Sequence, residues 1–336
     1  MNPADQKILS DCDKEKLHLI GSIQGNETGH VLFVSYPDLR ITAADAQAHS
    51  VPWIQNQAVG SEDDKEPSSP RAVSPDELSK EPEAHSRAML GSNLETWIPA
   101  GLLKTIRKVI EGMIKSSSKR EFHYFKTAAD SYSITVHATQ DNNYECLGIE
   151  IEKVDSKMKA AEFYNSLISL GRIIESYADE TVIKMACDFV FKVLGHFDRG
   201  MVYKFNDDNS GEVIYEVKKP DCVQSSYLGM RFPGADIPLP ARQLFVKNGL
   251  RYIHDVNAED IPILQVSGEE QVHLTHCRMR AVSKPHIMYL QNMGVISSTS
   301  LALVVDNKLW GLLAFHGYKK AFKPNLQQRI ACETVS

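Results

Sequence analysis

Residues Arg280–Gly294 read RAVSKPHIMYLQNMG, and the interpretation of the whole chain starts from this stretch. Ser283 is a predicted helix N-cap, and Pro285 fits the first turn, where its missing N–H costs little. After Pro285, the spacing i, i+3, i+4 and i+7 places four residues on one face of the helix: His286, Tyr289, Leu290 and Met293. An imidazole and a phenol among apolar side chains can line a ligand pocket. Spacing alone favours an ordinary core helix with a hydrogen-bonded histidine.

Two other stretches change this interpretation. Arg231–Phe245 reads RFPGADIPLPARQLF, and Asn307–Tyr318 reads NKLWGLLAFHGY. Together with Arg280–Gly294 they resemble three signature regions of the bilin-binding GAF domain of phytochromes. The Asp-Ile-Pro triplet, the Tyr-x-x-Asn-Met-Gly run and the Leu-Trp-Gly-Leu…His strand occur in the order found in that family. The resemblance implies a red/far-red photoreceptor that binds a linear tetrapyrrole.

Composition is that of a soluble protein with room for two domains. The chain has 336 residues, of which 24% are charged and 43% hydrophobic. A net charge of −6 argues against nucleic acid as a main partner. The polar N-terminus lacks a signal-peptide core, and the longest apolar run, Val295–Val305, is too short to span a bilayer. Six cysteines without a CxxC motif indicate reduced thiols. We therefore expect a cytoplasmic protein with no membrane partner.

The predicted fold class is α+β, with a PAS domain followed by a GAF domain, each a central antiparallel sheet flanked by helices. An N-terminal arm covers residues 1–24, the PAS domain covers 25–155 and the GAF domain covers 156–336. An acidic, Pro- and Ser-rich insertion over 57–92 cannot bury a core of its own. The elements predicted for the first half are a strand Val31–Tyr36, helices Asp38–Ala48 and Ala100–Lys115, and strands Phe122–Thr127, Tyr132–Ala138 and Tyr144–Val154.

The second half is predicted to continue the same alternation. Its elements are helices Lys157–Tyr177 and Glu180–Leu194, a hairpin Gly200–Phe205 with Glu212–Val217, helix Pro238–Val246, strand Arg251–Asp255, helix Arg280–Met293, strands Val295–Val305 and Lys308–His316, and helix Pro324–Cys332. The stretch Pro220–Ser283 is longer than a plain connection needs. In phytochromes this region forms a lasso around the N-terminal arm, so the resemblance implies a figure-of-eight knot.

The resemblance also implies where the chromophore is attached. Cys12 precedes Leu19–Gln24, which matches the Ile/Pro-Gly-Ser-Ile-Gln run of bacterial and fungal phytochromes, although Gly25–His30 departs from the usual Pro-His-Gly. A thiolate on a flexible arm is a good nucleophile toward a vinyl group. Plant-type and cyanobacterial phytochromes carry their attachment cysteine immediately before the pocket histidine, where this chain has Pro285. The resemblance therefore implies that Cys12 is the attachment residue. It also implies that the chromophore is biliverdin, joined covalently through its A-ring vinyl group.

Further roles are implied for residues that match the family's pocket. Arginines suit the two propionates because a planar guanidinium matches a carboxylate with two hydrogen bonds. Asp236 and His286 match the groups around the pyrrole nitrogens, and His316 matches the histidine at the D-ring carbonyl. Many bacterial members have tyrosine where this chain has Phe245. The full predicted set is Tyr203, Asp236, Ile237, Pro238, Phe245, Arg251, Arg280, Ser283, His286, Tyr289, Met293, Ser298, Ser300 and His316.

Other interpretations stay open at this stage. Asp236 could be an N-cap, and the histidines and tyrosines could be core residues. His273, His276 and Cys277 have metal-like spacing without an evident fourth ligand, so we predict no metal site. Without a P-loop or a nucleophile–base motif, we expect a sensor rather than an enzyme. We also expect a homodimer and missing PHY and output domains, with a haem-binding sensor or a bilin-free dimerisation module as alternative functions.

Overall fold

The computed structural model describes residues 21–25, 29–51, 54, 82–126, 130–140, 143–154, 168, 171 and 180–335. The predicted attachment residue Cys12 lies outside these residues. So do positions 57–81 of the predicted insertion and nearly all of the predicted helix Lys157–Tyr177. Among the described residues, no helix is both long and apolar enough to cross a membrane.

The described chain alternates between strands and helices. The strands are β1 Ser22–Ile23, β2 Gly29–Ser35, β3 Ile41–Asp45, β4 Arg120–Lys126, β5 Ser131–Gln140, β6 Asn143–Val154, β7 Arg199–Phe205, β8 Gly211–Lys218, β9 Arg231–Phe232, β10 Leu250–Ile253, β11 Ile261–Gln265, β12 Ser297–Val305 and β13 Lys308–Gly317. The α-helices are α1 Pro82–Met89, α2 Ala100–Ser116, α3 Glu180–Leu194, α4 Leu239–Lys247, α5 Lys284–Asn292 and α6 Leu326–Val335. Short 3₁₀ turns cover Ala48–Ser50, Leu94–Thr96 and Gly234–Asp236.

The chain divides into two compact units. The N-terminal unit comprises Gly21–Val154 together with Glu259–Ala281, and the described part of the C-terminal unit lies within Asp155–Ala258 and Val282–Ser336. The sequence placed 259–281 inside the second domain. In the structure, β11 pairs with β3, and Ile263 lies opposite Asp45. The segment that contains β11 therefore belongs to the N-terminal sheet.

A seven-stranded antiparallel sheet forms the N-terminal unit, in the order β1-β11-β3-β2-β6-β5-β4. Helix α2 covers one face of the sheet and buries Leu102, Ile106, Ile110 and Met113. Ile110 is fully buried, so Ile110→Ala would cost about 2–5 kcal/mol of stability. The predicted helix Ala100–Lys115 is confirmed.

The predicted helix Asp38–Ala48 is wrong. Residues Ile41–Asp45 form β3, which pairs with β2 on one side and β11 on the other. These two ladders satisfy the backbone groups of β3, and tertiary pairing of this kind overrides local helix propensity.

The described end of the arm is held by the segment 259–281. Ser22 and Ile23 pair with Pro262 and Ile261 of β11. On the other side, the backbone N–H of Gln24 donates to the carbonyl oxygen of Met279 across 2.8 Å. The predicted knot also depends on residues 1–20, which the structure does not describe, so it stays a prediction.

The C-terminal unit is built on a six-stranded antiparallel sheet in the order β10-β12-β13-β7-β8-β9. Helices α3 and α6 pack on one face, where Cys187, Val190 and Cys332 contact Val202 and Leu313. The β12–β13 hairpin turns through Asp306 and Asn307, which have φ angles of 50° and 59°. Two consecutive positive φ values are typical of a type I′ turn, and the two strands predicted on either side of this turn are confirmed.

Candidate functional site

The candidate site lies on the sheet face opposite α3 and α6. Alternate residues of a strand point to the same face, and directly paired residues share a face. Met201 and Tyr203 of β7 pack with the partly buried Ile237 and Phe245, whereas Val202 packs with α3. Five predicted residues share the Tyr203 face by strand register, and these are Tyr203, Arg251, Ser298, Ser300 and His316.

A hydrogen bond joins the Asp-Ile-Pro turn to helix α5. The Tyr289 hydroxyl donates to Asp236 Oδ2 across 3.2 Å, and Asp236 ends the 3₁₀ turn Gly234–Asp236. Burial raises the pKa of the Asp236 carboxyl, and the bond from Tyr289 opposes part of that rise. Burial and the Asp236 carboxylate both raise the pKa of Tyr289. The tyrosine is therefore the donor, and its bond fixes the turn against α5.

Two predicted histidines are held neutral. His286 precedes Tyr289 by one helical turn, with ring centroids 6.3 Å apart and an interplanar angle of 13°. Burial and the charge of Arg251 lower the pKa of His286 to about 4. His316 is 7% exposed, and burial with the charges of Arg199 and His286 lowers its pKa to about 3. At neutral pH each ring can therefore both donate and accept one hydrogen bond.

Tyr203 occupies an aromatic corner of the site. Its ring meets Phe205 edge-on at 5.3 Å and lies 6.0 Å from the ring of Phe232. A Cβ atom on Gly211 would lie 1.9 Å from Tyr203 Cζ, so only glycine allows the ring to lie there. Burial and the Asp236 carboxylate raise the pKa of Tyr203 to about 12. The hydroxyl therefore stays protonated beside Asp236.

Arg242 holds the Asp-Ile-Pro turn in place, and sequence analysis missed it. Its Nε donates to the Ile237 carbonyl oxygen at 2.7 Å, and its Nη2 donates to those of Asn209 and Gly234 at 2.8 and 3.0 Å. The guanidinium also lies 4.2 Å from the centroid of the Phe205 ring. The signal was available, because Arg242 lies one helical turn after Pro238 in the quoted motif.

Arg199 is the second residue that sequence analysis missed. Its side chain is fully buried, and Nε lies 3.1 Å from Glu216 Oε1. Its guanidinium stacks 3.9 Å from the Tyr227 centroid and 5.6 Å from that of Tyr318. Its β-strand partner on β13 is His316. The sequence did contain a signal for this ion pair. Arg199 is a charged residue at an inward position of an apolar strand, and the next strand carries the acid Glu216.

The other predicted residues are distributed as follows. Arg251 pairs with Ser300 in the β10–β12 ladder, and its charge acts on His286. Ser283 occupies the N-cap position of α5, without a capping hydrogen bond from its side chain. Arg280 belongs to the N-terminal unit, where its Nη1 donates to the Leu274 carbonyl oxygen at 3.2 Å. The remaining predicted members are Pro238 at the start of α4 and the partly buried Met293 beside α5.

The site keeps polar atoms that no described residue satisfies. Asp236 Oδ1, His316 Nδ1 and the Tyr318 hydroxyl are buried without a hydrogen-bond partner among the described residues. Buried polar groups are normally paired, so these atoms fit a ligand that brings its own donors and acceptors. The aromatic side chains around Tyr203 suit a conjugated, largely apolar ligand. A tetrapyrrole has both properties.

A helix-backed antiparallel sheet with a ligand-type site on its other face is the arrangement of a GAF domain, and a GAF-domain family model matches residues 180–335. Cyanobacterial phytochrome B from Nostoc sp. is 30% identical over 334 residues, covering 98% of this chain and 39% of that protein. A bacteriophytochrome from Pseudomonas aeruginosa is 43% identical over 123 residues, or 36% of this chain and 17% of that protein. The chain thus spans about two-fifths or less of these relatives.

Solved structures agree with these matches. The wild-type chromophore-binding domain of a Stigmatella aurantiaca phytochrome superposes with a TM-score of 0.75 at 25% identity, covering 96% of each chain. The chromophore-binding domain of a bacteriophytochrome from R. palustris gives 0.74 at 26% identity, covering 97% of this chain and 94% of that one. The chain contains a GAF domain over residues 180–335 and is similar over nearly its whole length to the chromophore-binding domains of phytochromes, and the predicted fold class is confirmed.

Proposed function

We propose that this chain senses red and far-red light by binding a bilin on the Tyr203 face of its C-terminal unit. The observation that carries the proposal is the Asp236–Tyr289 bond beside two neutral histidines. The bond ties the Asp-Ile-Pro turn to the helix that carries His286, so two of the family's signature motifs are linked in space. When bound, the bilin supplies light absorption and isomerisation of its C/D-ring double bond.

The residues present have the chemistry that a bilin needs. Arg251 would pair with a propionate, and Arg280 is proposed for the other on the family resemblance alone. The Asp236 backbone carbonyl oxygen would accept from pyrrole N–H groups, with neutral His286 beside it. His316, whose Nδ1 has no hydrogen-bond partner among the described residues, would bond the D-ring carbonyl. The remaining lining residues are those predicted from sequence: Ile237, Pro238, Phe245, Ser283, Met293, Ser298 and Ser300.

Signalling would follow from exchange of hydrogen-bond partners. At neutral pH the lowered pKa keeps His316 neutral, and the raised pKa values keep the hydroxyls of Tyr203 and Tyr289 protonated. Each of the three side chains could then donate a hydrogen bond to a D ring that has moved, or accept one from it. Asp236 belongs to the Asp-Ile-Pro turn and also accepts the hydrogen bond from Tyr289. A movement of the turn would therefore change the position of Tyr289, and a movement of Tyr289 would change the turn. Such a pair of arrangements can bias the protein between two states.

Covalent attachment of biliverdin through Cys12 is the finer proposal. Burial raises the pKa of Cys332 to about 12 and raises the pKa values of Cys187 and Cys277 as well, so these thiols are poor nucleophiles. Pro285 occupies the position used for attachment by other phytochromes. These facts favour the arm cysteine.

The native context is proposed on the same basis. The photosensory core module of the S. aurantiaca phytochrome is matched over 58% of its length. We propose a longer cytoplasmic protein with PHY and output domains, acting as a homodimer, in which this module has no catalytic step.

Loading the apoprotein with biliverdin tests the proposal against its alternatives. We expect a strong red absorption band at one bilin per chain, and Asp236→Ala should weaken it. Haem offered in parallel should not give a stoichiometric Soret band. A Soret band with haem and no red band with biliverdin would favour a haem sensor, and a colourless protein in both mixtures would favour a dimerisation module.

A further inference from the structure

Three ligand-type side chains meet in the N-terminal unit, away from the proposed bilin site. His137 on β5, Glu150 on β6 and Cys277 after β11 bring one nitrogen, one oxygen and one sulfur atom within 4.8 Å of one another. Their exposed fractions are 0%, 1% and 0%. Light sensing as proposed above uses none of them.

The β5–β6 register places the imidazole of His137 over Gly148. His137 pairs with Gly148, and a Cβ on Gly148 would lie 2.2 Å from His137 Cε1. The glycine therefore provides the space in which the ring lies across β6. Glu150 is two residues further along β6 on the same face, and its Oε1 lies 3.3 Å from His137 Nε2.

The hydrogen bonds of the ring leave one atom of each partner unused. His137 Nδ1 lies 3.0 Å from the Ala138 carbonyl oxygen, which only accepts, so Nδ1 carries a proton. A neutral ring then presents the bare lone pair of Nε2 to a carboxylate. Nε2 and Glu150 Oε2 are buried without a hydrogen-bond partner among the described residues. The oxygen that faces Nε2 is Glu150 Oε1, which also accepts the backbone N–H of Arg278 across 2.8 Å. Nε2 and Oε1 are therefore two facing acceptors, and they require a proton or a cation between them.

The distance between the two acceptors suits a cation. A charge-assisted hydrogen bond from an imidazolium would be about 2.7–2.9 Å long. In a tetrahedral zinc site, bonds of about 2.0–2.1 Å place nitrogen and oxygen ligands roughly 3.3 Å apart. The observed 3.3 Å matches the second case. The thiol of Cys277 supplies a soft third ligand, which favours zinc over calcium or magnesium.

Charge balance sets the form of the site. The charges of Arg120 and Arg278 act on the Glu150 carboxylate. Two nearby arginines would repel a divalent cation bound by Glu150 alone. With Cys277 bound as thiolate, two negative ligands neutralise the cation and the arginines face no excess positive charge.

We propose that His137, Glu150 and Cys277 bind a divalent, thiophilic cation of the Zn²⁺ class, with water as the fourth ligand. His137 and Glu150 come from the central strands, whereas Cys277 comes from the segment 259–281. The cation would therefore fasten this segment to the sheet of the N-terminal unit. The segment also holds β1, so the site would stabilise the position at which the arm enters the sheet.

Metal titration of the whole chain tests the proposal. The bilin-free protein is used because tetrapyrroles themselves bind Zn²⁺. After chelator treatment and desalting, one equivalent of Zn²⁺ should be retained and should raise the unfolding temperature. Co²⁺ should give a thiolate-to-metal charge-transfer band. Retention below about a tenth of an equivalent, without that band, would overturn the proposal and leave the cluster a buried ion pair.

Two cysteine variants identify the sulfur ligand. Cys277→Ser should remove the charge-transfer band and weaken Zn²⁺ binding by at least about 10-fold, the smallest loss typical even of outer-shell changes. Cys146→Ser, which alters a half-buried cysteine on β6, is the matched control and should leave both unchanged. A band that persists in folded Cys277→Ser would contradict the assignment. Near-ultraviolet circular dichroism verifies folding, and Glu150→Gln provides a second variant.

Discussion

The Tyr289 hydroxyl donates to Asp236 Oδ2 across 3.2 Å, and this contact joins two sequence motifs that are 53 positions apart. One motif supplies a short turn and the other a helix, and neither fixes the geometry alone. Because the acceptor is a partly buried carboxyl, the bond contributes to stability as well as to the site.

Tyr289→Phe removes this donor and leaves an acceptor unsatisfied. We expect the free energy of unfolding of the bilin-free protein to fall by about 1–3 kcal/mol. The pKa of Asp236 should rise further, since the bond from Tyr289 lowers it. Urea unfolding measures the first effect. Tyr215→Phe removes a comparable bond to Asp188 at an exposed position, and should cost less than about 0.5 kcal/mol. Equal losses in the two variants would contradict the account.

Arg199→Met should destabilise the protein by about 3–5 kcal/mol, because Glu216 is left buried without its ion-pair partner. The double variant Arg199→Met with Glu216→Met should recover most of that loss. Removing the positive charge should also raise the pKa of His316, which NMR titration can follow. A double variant as unstable as the single one would show that stacking, not charge, dominates at Arg199.

Stability should fall as the pH is lowered below about 6.5. His286 and His316 have folded pKa values of about 4 and about 3, against an unfolded value near 6.5. Between these values the unfolded chain binds more protons than the folded chain, so stability rises with pH. The raised pKa of Asp236 acts in the opposite direction near its own titration. The slope should be smaller in His286→Gln than in the unaltered protein, and an equal slope in the two proteins would contradict this assignment.

Cys12→Ala should still bind biliverdin but lose it on denaturation, because the pocket remains and the thioether is absent. The measurement is bilin absorption retained by the protein after denaturing gel separation. Cys222→Ala, at a half-buried cysteine of the C-terminal unit, is the control and should keep the bilin. Retention by Cys12→Ala would place the attachment elsewhere.

The sequence was informative where local patterns match the final contacts. The β12–β13 hairpin, helix α3 and helix α5 follow from alternation, helical spacing and turn residues, and all three are confirmed. The predicted helix Asp38–Ala48 was wrong because β3 is held between β2 and β11, and β11 lies more than 200 residues away along the chain.

The candidate site was predicted where family motifs carry it and missed where it depends on diagonal contacts. Arg199 and Glu216 occupy neighbouring strands, and their pairing needs the β7–β8 register. Arg242 likewise acts through backbone carbonyls whose positions follow only from the folded turn. The cluster of His137, Glu150 and Cys277 also depends on β11 placing its segment on the N-terminal sheet.

The measurement that tests the central claim most directly is the absorption spectrum of the biliverdin-loaded protein before and after red light. We predict that red light depletes the red band of the bound bilin and that the spectrum after illumination differs from the spectrum before it. A protein that binds biliverdin but shows no light-induced change would contradict the assignment as a photoreceptor.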